Sequence, residues 1–177
     1  MMRYEINLLG RQFLISASSV TLSEMKYLML ENIRSAHNVG AIFRTADGAG
    51  VAKIFLIGYT PTPIDRFGRV QPEIKKTSLG ASQEIKWEHN SDGATVLDKL
   101  KKEGFVIVAV EQSEQSVPLT GFVFPEKVVY IVGNEIEGVS SHSLKIADTV
   151  VEIPMLGTKE SLNVSVATGI VLYHGLV

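Results

Sequence analysis

The sequence predicts an open, mostly parallel α/β sheet with helices on both faces, and three observations lead there. Short apolar runs rich in β-branched residues (Ile54 to Ile57, Phe105 to Val110, Val128 to Val132) are continuous rather than alternating. A strand shows that pattern when helices cover both faces of its sheet. Longer amphipathic segments separate the runs, so strand and helix alternate along the chain and right-handed crossovers follow. The chain has 177 residues, 45% of them apolar, enough to bury roughly 70% of its unfolded surface in one core without staples.

Residues 1–26 read as a short N-terminal extension that adds a strand or a helix, and residues 27–177 as the main domain. A helix is expected at about 38–49, with Asn38 as its N-cap. Gly40, Arg44 and Gly48 recur on it at intervals of four, which stands the arginine on a face otherwise bare of side chains, open to backbone or ligand. Gly58 to about Lys76 is the one long irregular stretch, punctuated by Pro61, Pro63, Gly68 and Pro72. It carries Arg66, Arg69, Lys75 and Lys76 around Phe67, and reads either as a solvated loop or as an arm that contacts RNA phosphates. Ser91 to Glu103 places Ala94, Leu97 and Leu100 on one side and charges elsewhere, a surface helix stopped by Gly104. Further helices are expected at about 139–147 and 161–174, the last capped by Ser161.

Composition removes several classes of function. The sequence has no cysteine and four scattered histidines, which excludes disulfides and leaves no metal-type spacing. No metal is expected. The apolar runs fall far short of the ~20 residues of a membrane helix, and the N-terminus lacks a signal-peptide core, so a cytoplasmic protein without membrane attachment is expected. With 17 basic and 19 acidic side chains, a net charge of −2, nucleic acid is not held through bulk charge, although a local basic patch could supply phosphate contacts. Gly-x-Gly-x-x-Gly, Walker A and Gly-x-Ser-x-Gly patterns are absent, which argues against nicotinamide, P-loop and nucleophile-elbow chemistry.

Three polar segments, each at the end of an expected strand, concentrate the chemistry: Asn32 to Gly50, Val132 to Gly138 and Glu152 to Ala167. In open α/β sheets, loops at the carboxyl ends of strands converge on ligands. A guanidinium beside open backbone, as at Arg44, suits a phosphate, with a buried salt bridge as the competing reading. Gly133 would let a ligand reach the backbone and Glu135 could pair with an arginine or hold a hydroxyl, unless the segment is a plain turn. Asn163, one turn into its helix, is hard to explain as core.

The segments read Asn38-x-Gly40-x-x-x-Arg44, Gly133-x-Glu135-x-x-Gly138, and Ile153-Pro154-Met155 followed by Ser161-Leu162-Asn163-x-Ser165. In this order they resemble the motifs of the SpoU/TrmH branch of the SPOUT RNA methyltransferases, over about residues 28–175. The resemblance implies transfer of a methyl group from S-adenosylmethionine to a ribose 2′-oxygen in RNA, in a domain with a C-terminal trefoil knot. It implies a homodimer whose active site draws on both subunits. By similarity Arg44 is the catalytic arginine, Asn38 orients it, Glu135 supports the site, and Ser161 and Asn163 place cofactor and nucleotide. Val110, Gly133, Ile153 and Leu162 would line the adenosine pocket, largely through backbone groups. Read as a compact member without the sizeable RNA-binding extensions of some others, the chain is expected to resemble those acting on tRNA, with rRNA as the other substrate. The competing function is an RNA-binding module that keeps the fold and has lost transfer.

Overall fold

The computed structural model describes residues 3–8, 11–16, 25–174 and 176. Within the N-terminal extension two strands, β1 (Arg3–Leu8) and β2 (Arg11–Ser16), pair antiparallel with Arg3 opposite Ser16. The rest of that segment up to residue 24 lies outside the described residues. The main sheet begins with β3 (Met25–Glu31), which takes in the last two positions of the expected extension.

From there strand and helix alternate. The elements are α1 (Ala36–Gly48), β4 (Lys53–Ile57), α2 (Pro72–Ser78), α3 (Ala81–Glu84), β5 (Lys86–Asn90) and α4 (Gly93–Lys102). They continue with β6 (Val106–Val110), β7 (Val117–Pro118), β8 (Lys127–Val132), α5 (Ser141–Ile146), β9 (Thr149–Glu152) and α6 (Val164–His174). Seven strands form one sheet in the order β5-β4-β3-β8-β6-β9-β7, and every pairing in it is parallel.

Alternation along each strand divides the core between the two faces. Leu28, Leu30, Ile54, Leu56 and Tyr130 point toward α1, α2 and α6, where Phe43, Ile74 and Leu172 meet them. Met29, Phe55, Ile107 and Ile131 point the other way, onto Val96, Leu97 and Leu100 of α4. Both faces are therefore apolar, which is why these strands read as continuous hydrophobic runs. Each fully buried side chain of this size contributes roughly 1.5–3 kcal/mol.

Local chemistry moves several expected boundaries. The first helix is capped by Ser35, whose hydroxyl accepts the Asn38 N–H at 3.3 Å; Asn38 sits inside the helix, not at its cap. The last helix starts at Val164, where the Asn163 side chain accepts both the N–H (2.9 Å) and the hydroxyl (2.7 Å) of Ser165. Asn163, rather than Ser161, caps it. The stretch expected to be irregular from Gly58 to Lys76 ends in α2, because Pro72 occupies the first turn of a helix, where its missing N–H costs nothing. Lys75 and Lys76 stand exposed on that helix. The glycine face of α1 is approached by neighbouring helices rather than by a ligand: a Cβ at Gly40 would strike Thr77 and lie 2.8 Å from the Ile74 carbonyl of α2, and one at Gly48 would lie 2.6 Å from the Tyr173 hydroxyl of α6.

Candidate active site

The carboxyl ends of β3, β6, β8 and β9 open onto one region. Beyond β8 the chain folds on itself from Gly133 to Gly138. The Asn134 and Gly138 backbones exchange two hydrogen bonds of 3.0 Å, and the Asn134 side chain accepts the N–H groups of Ile136 (2.7 Å) and Glu137 (2.9 Å). A Cβ at position 133 would collide with the backbone of Gly138 and Val139. Glycine is thus required at 133 chiefly by the loop's own closure, in addition to any ligand the sequence led us to expect there.

That closure presents Glu135 to the first motif. Its carboxylate accepts the Arg34 N–H (3.0 Å), the Ser35 N–H (3.3 Å) and the Asn38 side-chain amide (2.9 Å). The Asn38 carbonyl oxygen in turn accepts the Asn163 amide at 3.2 Å. Three segments are joined by one chain, Asn163 to Asn38 to Glu135, whose two links span 125 and 97 positions. Burial acts to raise the Glu135 pKa, but the Arg34 N–H and the Asn38 amide, with the N–H groups of Glu135 itself and Ser35, outweigh it and hold the carboxyl below its ordinary value.

Beside this chain lies a cleft of about 280 Å³, near the lower end of the usual range for small-molecule sites. Of the residues expected to bind a cofactor, Val110, Gly133, Ile153, Ser161 and Leu162 line it. Asn163 does not; it stands behind the cleft as helix cap and partner of Asn38. Glu135 and Ser161 reach the cleft, while Asn38 is buried in the network and Arg44 projects, exposed, from α1 outside the lining. Every charged side chain on the cleft wall is a carboxylate: Glu111, Glu135, Glu137 and Glu152. A cationic ligand suits such a wall.

Sequence reasoning missed the residues that hold the cleft together. Glu111 accepts the Val139 N–H (2.8 Å) and fixes the far edge of the Gly133 to Gly138 loop. Glu31, buried at the end of β3, accepts the Ser140 N–H (3.0 Å) and the hydroxyls of Ser140 and Ser143, both at 2.8 Å, which anchors the start of α5. Asn134 donates to the Asn32 carbonyl (2.9 Å) and to the Tyr59 hydroxyl (2.6 Å). Their partners are 28 to 112 positions distant, so no local spacing announces them. Arg66 and Arg69 lie elsewhere, on a second groove beyond β4. Among the described residues, no group of three or more acidic, histidine or cysteine side chains is placed to hold a metal ion, and no helix is long and apolar enough to cross a membrane.

Fold and site together define a parallel α/β protein with a small-molecule cleft at the strand carboxyl ends, backed by a polar network from three sequence motifs. The chain belongs to the SpoU rRNA Methylase family, whose profile matches residues 25–173. It is 36% identical over 148 residues to the tRNA (guanosine(18)-2′-O)-methyltransferase of Aquifex aeolicus, covering 81% of this chain and 65% of that one. The AdoMet-bound rRNA methyltransferase of Sinorhizobium meliloti superposes with a TM-score of 0.78 at 28% identity, covering 86% of this chain and 56% of that one. A chain solved in work on the 2-OH methylation of C/U34 on tRNA superposes with a TM-score of 0.73 at 25% identity, over 87% of this chain and 95% of its own. The chain spans 55% to 65% of the length of curated relatives such as those of Neisseria meningitidis and A. aeolicus.

Proposed function

We propose that this chain transfers the methyl group of S-adenosylmethionine to a ribose 2′-hydroxyl of RNA, with tRNA preferred over rRNA. The observation that carries the reading is the Asn163–Asn38–Glu135 chain, which draws three family motifs together beside a cleft whose charged wall is wholly acidic. S-adenosylmethionine bears a sulfonium and an ammonium, so that wall favours it electrostatically. Val110, Gly133, Ile153 and Leu162 would flank the adenosine and Ser161 the nucleotide end. The A. aeolicus relative, named for tRNA, and the neighbour from work on tRNA methylation support the substrate preference.

When bound, S-adenosylmethionine would supply an already activated methyl group for the ribose 2′-oxygen, leaving as the neutral thioether while the hydroxyl proton passes to solvent. Alignment is most of the catalytic task. Glu135, held ionised with its oxygens occupied by three N–H groups, positions the first motif rather than removing a proton. A guanidinium is a poor proton acceptor, so the role of Arg44 is to anchor the substrate phosphate and stabilise the developing alkoxide. Asn38 and Asn163 act through Glu135 and α6 as positioning residues. Lys75 and Lys76 on α2, with Arg66 and Arg69, extend the basic surface for RNA.

The same reading includes a cytoplasmic homodimer, a C-terminal trefoil knot, and a methyltransferase domain at 27–177. For the dimer, the support is α6, where Val166, Ile170 and Tyr173 form an apolar stripe 39–50% exposed, the kind of surface that a partner covers. Calorimetric titration with S-adenosylmethionine, alongside light scattering at micromolar protein and a methyl-transfer assay on the same sample, tests both parts. Saturable binding to a dimer is expected; a fully active monomer or no binding contradicts the reading.

A further inference from the structure

A second groove lies between the loop that follows β4 and the edge strand β5, away from the cofactor cleft. Trp87 of β5 forms its floor, packed against the core. Tyr59 and Phe67, residues 57% and 67% exposed, wall it. The guanidinium carbons of Arg66 and Arg69 stand 4.8 and 5.1 Å from the Phe67 ring centre, in cation–π contact.

The loop is built rather than loose. Asp65 accepts the N–H groups of Phe67 (2.8 Å) and Arg69 (2.9 Å) and the Arg69 Nε–H (2.7 Å), and Ile64 bridges to Val70 across it. Other polar groups of the groove are also turned inward: the Thr60 hydroxyl donates to backbone carbonyls, and His89 Nε2 lies 2.8 Å from the Gly58 carbonyl. What faces outward is aromatic surface flanked by the exposed Arg66 guanidinium and by an Arg69–Asp65 ion pair of 2.7 Å. That combination stacks a nucleobase and offers the Arg66 charge to an adjoining phosphate, with little reading of the base edge.

We propose that this groove is a stacking subsite for an unpaired base of the RNA substrate, on the strand that carries the methylated ribose. The proposal rests on the RNA methyltransferase reading above. The Tyr59 hydroxyl accepts the Asn134 amide at 2.6 Å, and Asn134 lies between Gly133 and Glu135 in the cofactor wall. Groove and cleft thus share a hydrogen bond, so a base seated in one positions the strand over the other.

Trp87 is the only tryptophan of the chain, which supplies a direct signal, since a base stacking in the groove quenches its fluorescence. The full chain, Phe67→Ala and Phe67→Tyr are titrated with a short oligouridylate and with an abasic ribose-phosphate oligomer of equal length. S-adenosylmethionine affinity and methyl transfer to unfractionated tRNA and, separately, to rRNA are measured on the same samples. The expected result is quenching by oligouridylate and not by the abasic oligomer. Phe67→Ala weakens that binding roughly 5- to 150-fold and raises KM for tRNA, with kcat and cofactor affinity unchanged; Phe67→Tyr behaves as the parent. Equal quenching by the abasic oligomer, or parental binding and KM in Phe67→Ala, overturns the subsite while leaving the enzyme reading intact. Base-dependent quenching by a parent that transfers no methyl group to tRNA or rRNA supports the subsite and removes the enzyme reading instead.

Discussion

Asn38→Ala separates two accounts of the first motif. As a helix cap, Asn38 would be replaced without loss by serine, another good capping residue. The structure gives the cap to Ser35 and makes Asn38 the link between Glu135 and Asn163. Its truncation removes one hydrogen bond to a carboxylate, about 1.5–3 kcal/mol, and one neutral bond, about 0.5–1.5 kcal/mol. Glu135 is exposed and keeps two backbone N–H donors, so the lower half of the range applies, about 2–3 kcal/mol in all. Serine is too short to span the gap to Glu135, so Asn38→Ser should be as unstable as Asn38→Ala. Urea denaturation of the two variants, with a double-mutant cycle against Glu135→Ala, reads both the loss and the coupling. Recovery of parental stability by Asn38→Ser, or additivity in the cycle, would refute the network.

Other outcomes follow from the same geometry. Gly133→Ala forces a Cβ onto the backbone of Gly138 and Val139; because backbone cannot swing aside, the cleft wall opens and S-adenosylmethionine binding should weaken at least about tenfold, the equivalent of 1.4 kcal/mol, against which an unchanged calorimetric Kd would count. Glu135→Gln tests the depressed pKa. The unfolded carboxyl titrates near 4.5 and the folded one below it, so the stabilisation from ionised Glu135 is full above about pH 4.5 and lost as pH falls through the lower folded value. The denaturation midpoint of the parent should exceed that of the variant at neutral pH and converge on it in strong acid; a gap that widens in acid contradicts the assignment.

The sheet was legible wherever burial on both faces wrote itself as an unbroken apolar run, as in β4, β6 and β8. The edge strand β5, Lys86-Trp87-Glu88-His89-Asn90, carries no such run because one side of it has no neighbouring strand and its side chains are only partly covered. Helix α2 was hidden by Pro72, which reads as a loop residue until its place at a first turn is seen. Ser161 and Asn163 are both capping types two positions apart, and spacing alone cannot choose between them. Of the candidate site, the residues that recur in family motifs stood out, whereas Glu31, Glu111 and Asn134 did not. Each of those owes its role to a partner that the fold, not the chain order, brings near. Arg44 was legible as a special residue; its position outside the cleft wall was not, since that depends on how α1 packs between α2 and α6.

The central claim is that this chain methylates a ribose hydroxyl in RNA through Arg44. Its most direct test is transfer of radiolabelled methyl from S-adenosylmethionine to tRNA and, separately, to rRNA, both from cells lacking the protein, with Arg44→Ala alongside. Because Arg44 is exposed and outside the cleft lining, its truncation should leave stability within about 0.5 kcal/mol and cofactor affinity unchanged, while transfer falls by orders of magnitude. Label in the tRNA, resistant to alkaline cleavage at the modified ribose and absent with the variant, is the predicted result. Parental turnover by Arg44→Ala, or no label in either RNA despite intact cofactor binding, would contradict the account.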